Sequence, residues 1–512
     1  MLKLVQGILS VAVLLIIAYI LIPLFIINEN RIQNIANDFL GEDYLIQMSS
    51  VSWNPVQQTF SSDNIKIVYV DDDEIFLEIA ELSIENIDLA AVFSGNLKAG
   101  NLVIDHFVLN LDKMPEANRE SGDGDEREVT VSIDNISIQD GNVNFSDEEG
   151  GKGEITGIHA RGSLNWDSTC DECEYYDIFS DIHLDIGEVK YLTGNGLYRL
   201  EGSEILVDEA QSGMEISEVR LVRLYNDQEL REKLEFRQDY FDVEISGVRI
   251  NHIRFDKFRE NRDILLEELF IEKAELHVTS DHNLPEDPER DPSDMPHDAL
   301  EKIPFRLSIE KLNLEHGDFR YSEYDRDSVR PGSILFARTT AETTRIDNRA
   351  DDPITVISNS YVMDQGQLDV TFLLQMGQEE LDLNVKGNAG ELDLTLLNEI
   401  FLDLEGILIE DGKLHHIAFE YDMRSENASG VLDIIYTDLS IDVVDRENQG
   451  QNLVNVIEGF FADRIVVRSG SSSASGESRE GEISENRDPD SGFFNYLWSS
   501  FRSGLFDAVK RF

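Results

Sequence analysis

Apolar and polar residues alternate along most of this chain, and the stretch Val131 to Phe145, VSIDNISIQDGNVNF, sets the pattern that the rest repeats. Apolar side chains fall at Val131, Ile133, Ile136, Ile138, Val143 and Phe145. Strict alternation with one extra residue at Asp134-Asn135 predicts a β-strand carrying a bulge. Without the bulge, a one-residue slip would turn Ile136 and Ile138 to the opposite face. Asp140-Gly141 then predicts a two-residue hairpin turn that sets Ile138 opposite Val143 and Ile136 opposite Phe145. All six side chains would share one face.

The same spacing returns at Leu307, Ile309, Leu312, Leu314, Phe319 and Tyr321 around His316-Gly317, and at Leu402, Leu404, Ile407, Ile409 and Leu414 around Asp411-Gly412. Glycine supplies the positive φ that primed hairpin turns need. Looser copies run from Leu77 through Leu82 and Ile84 to Leu89, from Leu97 through Leu102 and Ile104 to Leu111, and from Leu266 to Val278. They carry Ile87, Phe107 or Ala274 at the turn position and predict bulged or kinked strands. Irregular intervals between copies argue against a β-helix of fixed rung length. The predicted fold is mainly β: an elongated, curved antiparallel sheet with one apolar face. Roughly 25 to 30 strands at about 4.8 Å spacing would make it on the order of 120 to 140 Å long if all joined one sheet.

The two ends of the chain break this pattern. Leu4 to Ile27 is an uncharged run of about two dozen residues, enough to cross a hydrocarbon layer of about 30 Å as a helix. It is too long for a signal-peptide core and predicts a retained anchor with its N-terminus inside. Arg31 to Leu40 spaces Ile32, Ile35, Ala36 and Phe39 as a short amphipathic helix ended by Gly41. Near the other end, Phe494, Leu497, Trp498, Phe501, Leu505, Val509 and Phe512 fall on one helical stripe with Arg502, Lys510 and Arg511 beside it. Such a helix can lie on a membrane surface or dock back over the sheet.

These signals divide the chain into an anchor (1–27), a short helix with the first β segment (28–112), an acidic loop (113–127) and a central β segment (128–280). There follow a Pro/Asp-rich linker (281–300), a second β segment (301–468), a disordered Ser/Gly-rich linker (469–490) and the C-terminal amphipathic helix (491–512). The Pro-rich stretch DHNLPEDPERDPSDMP marks the clearest internal boundary. Between Phe60 and Leu453 the best helix-period stretch is NDQELREKLEF. With helical cover this scarce, the apolar face must pack on a second sheet, as a sandwich, or remain a trough that holds acyl chains.

Composition narrows the candidate chemistry. Asp plus Glu number 102 against 43 Lys plus Arg, a formal net charge of −59, which disfavours nucleic acid and suits a high-salt habitat that screens self-repulsion. The two cysteines, Cys170 and Cys173, form one Cys-x-x-Cys. Without a second ligand pair they predict a local disulfide or idle thiols rather than a metal. His415-His416 beside Asp411 does not make a metal site either, because adjacent strand residues face opposite ways; as a hairpin flank, His416 would lie opposite Ile407. No nucleophile elbow, zincin, phosphate-loop or dinucleotide motif occurs, so no enzyme and no cofactor are expected.

The N-terminal helix, the segment NIKIVYVDDDEIFLEIAELSIENIDLAAVFSGNLKAGNLVIDHFVLNLD and the blocks LSIEKLNLEHGDFRY and GILIEDGKLHHIAFEYD resemble the AsmA-like family of the Gram-negative envelope. The resemblance covers nearly the whole chain and is carried by apolar spacing. It implies an inner-membrane-anchored, single-pass protein with its bulk in the periplasm, whose apolar β-groove holds phospholipid acyl chains and assists their transport or outer-membrane biogenesis. The groove-face residues would be Leu82, Ile84, Leu102, Ile104, Val131, Ile133, Ile136, Ile138, Val143, Phe145, Leu307, Ile309, Leu312, Leu314, Phe319, Ile407, Ile409 and Leu414. Partners would be membrane lipids, the inner membrane and, through the C-terminal helix, the outer membrane or an envelope protein. The competing reading is a membrane-tethered β-sandwich adaptor that carries no lipid.

Overall fold

The computed structural model describes residues 44–69, 75–94, 96–113, 130–167, 178–287, 293–326, 328–443 and 478–510. The anchor segment, the Arg31–Leu40 helix, both cysteines and Phe512 lie outside these residues. Among the described residues, no helix is long and apolar enough to cross a membrane. The protein is mainly β, as the alternation predicts, and divides into two compact units, 1–219 and 220–512.

The first unit holds β1 (Tyr44–Asn54), β2 (Thr59–Tyr69), β3 (Ile75–Glu85), β4 (Leu97–Asn110), β5 (Thr130–Ser146), β6 (Lys152–Asp167), β7 (Phe179–Leu192), β8 (Tyr198–Asp208) and most of β9 (Gly213–Arg223). From β1 to β8 each strand pairs with the next in sequence, antiparallel at every step but one. The exception is β4 with β5, which run parallel from Leu97↔Val131 to Asn110↔Asn144. A parallel pair needs a long crossover, and the chain between β4 and β5 includes the predicted acidic 113–127 segment, which apart from residue 113 lies outside the described residues. A short helix, α1 (Leu89–Ser94), joins β3 to β4.

Two details of the sequence reading change here. The bulge predicted at Asp134-Asn135 is present, as a register shift between Ile133 and Ile136 against β6. The hairpin predicted at Asp140-Gly141 is not formed, because β5 continues through it as one strand. Ile138 therefore pairs with Ala160 and Val143 with Ile155 on β6. Asp140 does take positive φ, 52°, but in a bulge rather than a turn.

That bulge belongs to a seam crossing the sheet. The β2–β3 and β3–β4 registers pass over Asn64 and Ala80, then Ala80 and His106; β4–β5 passes over His106 and Asp140. On the far side, β6–β7 passes over Gly157 and Gly187, and β7–β8 over Gly187 and Glu204. Asn64, His106, Asp140, Gly157 and Glu204 all have φ between 48° and 67°. The ladder is interrupted at the same level from strand to strand, with the register shift itself at β5–β6, so the left-handed residues line up along one seam of the sheet.

Gly141 is also where a ring needs room. A Cβ there would lie 2.0 Å from Cε1 of Phe107, its register partner on β4. The device recurs where Phe145 covers Gly153 and Phe419 covers Gly387, with added Cβ atoms 2.0 Å and 2.5 Å from the ring. A strand glycine of this kind marks a close approach rather than a chain reversal.

The second unit contains β10 (Tyr240–Asn251), β11 (Ile264–Asp281), β12 (Leu307–Tyr324), β13 (Gly332–Thr343), the short β14 (Ile346–Asp347), β15 (Ile354–Val362), β16 (Gly366–Leu374) and β17 (Asp382–Ala389). The short β18 (Leu392–Asp393), β19 (Ile407–Arg424), β20 (Asn427–Val443) and β21 (Ser478–Asn486) follow among the described residues; β21 lies inside the predicted 469–490 linker and is ordered there by its antiparallel pairing with β20. The main ladder again follows chain order, with β11–β12 as its parallel step from Ile264↔Leu307 to Asp281↔Tyr324. The Pro/Asp-rich segment 281–300 is part of this crossover, so it does not divide the sheet. It also contains a helical turn, α4 (Pro296–Glu301). The hairpins predicted at His316-Gly317 and Asp411-Gly412 likewise become continuous strands, β12 and β19. His416 pairs with Ile435 and not with Ile407. Leu402 and Leu404 leave the strand pattern for a helix, α5 (Asn398–Glu405), stopped by Gly406 at φ 66°.

Among the described residues this unit has three further α-helices, besides the 3-10 turn Leu394–Leu397. The NDQELREKLEF stretch forms α2 (Asp227–Lys233), with Asn226 and Glu229 making a reciprocal capping box. A helix of about two turns, α3 (Phe255–Asn261), joins β10 to β11. The C-terminal helix α6 (Phe493–Lys510) packs on β20 and β21.

Candidate acyl-binding faces

Residues that face one another across a ladder share a side of the sheet, so the registers define apolar rows. In the first unit one row runs Ile67, Leu77, Leu109, Val143, Ile155, Val189 across β2 to β7. Another runs Leu82, Ile104, Ile138, Ala160, Leu184, Val207 across β3 to β8. Ile84, Leu102 and Ile136 form a third, and Ile133 pairs onto Leu164 beside it. The candidate groove residues of this unit are thus brought onto one face, as their spacing predicts.

Access changes along these rows. On β2 to β5, Ile67, Leu82, Ile84, Leu102, Ile104, Val131, Ile133, Ile136 and Val143 are buried in a common core, with Ile138 and Phe145 packed against it. Further along, Ile158, Leu184, Ile186, Val189, Ile205 and Val207 are only half-buried, and Leu200, register partner of Tyr191, is 39% exposed. The residues singled out from sequence are the sealed end of the face; its accessible continuation lies on β6 to β8. The DIHLDIGEV alternation signals that continuation, but alternation reports a face and not what covers it.

At one rim, Tyr191 stacks on Phe145 with ring centroids 6.2 Å apart and donates its hydroxyl to Asp147. That hydrogen bond, with burial, pushes the Tyr191 phenol up. Exposed Glu148 and Glu149 follow on the same turn. At the other rim Asp208 pairs with His183 at 3.3 Å and its side chain accepts from the backbone of Gln211. That backbone bond is the first cause holding the Asp208 carboxyl low. From Ile178 to Val189 and from Leu200 to Val219 there is no lysine or arginine.

The second unit shows the same gradation in mirror order. Val243, Leu276, Phe319 and Phe336 form one row and Ile250, Leu269 and Leu312 another, and all of these are half-buried. Leu307 is half-buried at the start of β12, whereas Ile309 and Leu314 are buried. Beyond β13 the face closes: Ile407, Ile409 and Leu414 lie in a core that includes Ile400, Phe401 and Leu404 of α5.

The C-terminal helix is part of this closure. Leu497, Trp498, Phe501 and Leu505 of the predicted stripe pack into the core, and the Phe501 ring meets Phe419 edge-on at 5.0 Å. Val509 is half-buried and Phe494 is 36% exposed. Of the two placements open to this stripe, membrane surface or sheet, its central residues take the sheet, where Phe401 and Phe419 offer an aromatic surface. A second ridge that the apolar stripe did not reveal, Tyr496, Ser500, Gly504 and Ala508, is buried on the strand side. Gly481 and Gly504 let backbones approach so closely that a Cβ on Gly481 would sit 2.2 Å from the Gly504 carbonyl.

Beside this helix a cavity of about 320 Å³ is lined by Glu323, Asp325, Glu405, Glu485, Asn495 and Arg502, among others. Glu323 accepts hydrogen bonds from Tyr321 at 2.8 Å and Asn495 at 3.2 Å. Burial pushes the Glu405 carboxyl up, Arg502 pulls it down, and Glu323 and Asp325 push it further up. Burial also raises Glu485. Among the described residues no group of His, Cys, Asp or Glu has metal-holding geometry. His415 bonds Thr437 at 2.9 Å, a strand-to-strand contact.

No protein-family model matches this chain, and no curated protein matches it.

Proposed function

We propose that the half-open apolar faces hold the acyl chains of phospholipids, and that the protein assists phospholipid movement in the cell envelope from a membrane anchor at Leu4–Ile27. One observation carries the reading: apolar rows pass without a break from sealed strands onto strands where the apolar side chains of the same face are only half-buried. Each methylene laid on such a row gains roughly 0.8 kcal/mol relative to water. Successive rows offer nearly equal energy, so a chain can shift along the face without leaving it, while the head group stays in solvent. The protein supplies a path and no chemistry, which agrees with a sequence without catalytic motifs.

Photocrosslinking from Ile186 and Ile205 in the full-length chain, reconstituted into phospholipid vesicles, tests this. Lipid adducts at both positions support acyl binding. Their absence, with protein adducts in a cell envelope instead, would replace the carrier with a tethered adaptor.

A further inference from the structure

We infer that the lipid held on the β6–β8 face carries a primary ammonium on a zwitterionic head group rather than a net negative one. The inference rests on the acyl-chain reading of that face and adds the head-group class. An acyl chain that crosses the rows along the strands places its head group at a strand end, and both rims of β6–β8 are acidic. One rim presents Asp147, Glu148 and Glu149 on the β5–β6 turn. The cations of this rim are outnumbered: Lys190 pairs with Glu188 at 2.7 Å and Arg199 with Glu201, and Lys152 at the start of β6 faces three acids, Asp147, Glu148 and Glu149. At the other rim stand Asp167, Asp181, Asp208 and Glu209, which outnumber the positive groups beside them, Arg161 and its register partner His183.

The whole chain carries −59, so the field at either rim adds to the local charge and is not cancelled by it. An anionic head group must enter against that field. A zwitterion with an ammonium can turn its N–H donors to rim carboxylates and form charge-assisted hydrogen bonds while its phosphate faces solvent. The selectivity is electrostatic, so it must fade once salt shortens the screening length below the rim-to-head-group distance.

The test uses the full-length chain with a photoreactive residue at Ile186, in vesicles of equimolar phosphatidylethanolamine and phosphatidylglycerol with identical acyl chains. At low salt, ethanolamine-lipid adducts should exceed glycerol-lipid adducts about tenfold, and the ratio should approach one in 1 M KCl. The double charge reversal Glu148→Lys, Glu154→Lys, at two exposed side chains, should lower the ratio several-fold with β-structure retained by circular dichroism. Equal adducts at low salt, or a preference that ignores salt, would overturn the head-group inference and leave acyl binding standing. No lipid adduct at Ile186 would remove both.

Discussion

A phenylalanine lying across the glycine of the next strand is the smallest unit from which these sheets are built. Because a Cβ at Gly141 would meet the Phe107 ring at 2.0 Å, Gly141→Ala should destabilise the first unit by about 1–3 kcal/mol in denaturant unfolding. Phe107→Leu in the same chain should recover part of the loss. An unchanged midpoint for Gly141→Ala would show that the ring moves aside freely. This position also shows what the sequence could and could not convey. Asp140-Gly141 reports a demand for positive φ and for space, and both demands are met, but a bulge and a hairpin make the same demand. Which one forms depends on Phe107 and on Ile158 of β6, partners that alternation within β5 does not name. A different residue-scale dependence holds in the second unit, where Asp281 is buried at the end of β11 and pairs with Arg231 of α2, whose guanidinium also lies over the Tyr324 ring at 4.2 Å. Asp281→Ala leaves that guanidinium without its carboxylate, and a loss of about 3–5 kcal/mol is expected by thermal or chemical melting.

At the scale of elements, α6 does the work of a neighbouring strand. Glu482 N–H donates to Asp507 at 2.8 Å and Ser484 N–H to Ser503 at 3.1 Å, so edge amides of β21 are satisfied by helix side chains. Removing residues 493–512 should expose that edge and produce concentration-dependent association in light scattering. A truncated chain that stays monomeric would show the edge is guarded otherwise. Docking of α6 should also depend on pH. Glu405 and Glu485 are raised in the folded state, so their protonated forms are favoured there; the penalty for charging them is present above the raised values and is relieved as pH falls through them. Asp227, Asp347 and Asp488 are held low and lose their contribution only at more acid pH. Amides of α6 should therefore exchange more slowly at pH 5.5 than at pH 7.5 once intrinsic rates are removed. Faster exchange at pH 5.5 would contradict the sign. The sequence pattern found this helix and its apolar stripe, since a 3.6-residue period is visible in any sequence. It could not reveal the ridge of Tyr496, Ser500, Gly504 and Ala508, whose small residues acquire meaning only against Gly481.

For the whole molecule, charge and connectivity set the terms. A net charge of −59 opposes compactness, so melting temperature should rise steadily with KCl into the molar range, and a maximum at low salt would count against a high-salt adaptation. The strand content and the shared apolar face were legible because period-two alternation survives any register. The sheet order was not, because the two parallel steps put β4 beside β5 and β11 beside β12 across stretches whose composition reads as boundaries between domains.

Those two parallel steps carry a kinetic consequence. An antiparallel meander can zip from one neighbour to the next with short reach, but at Leu97↔Val131 and Ile264↔Leu307 the chain must first close a long excursion before a single ladder bond forms. Each step is where assembly of its unit waits. A chain severed inside the 282–306 crossover after folding should keep its ladder, yet recover slowly or not at all once denatured, because the entropic leash that brings β12 to β11 would be gone.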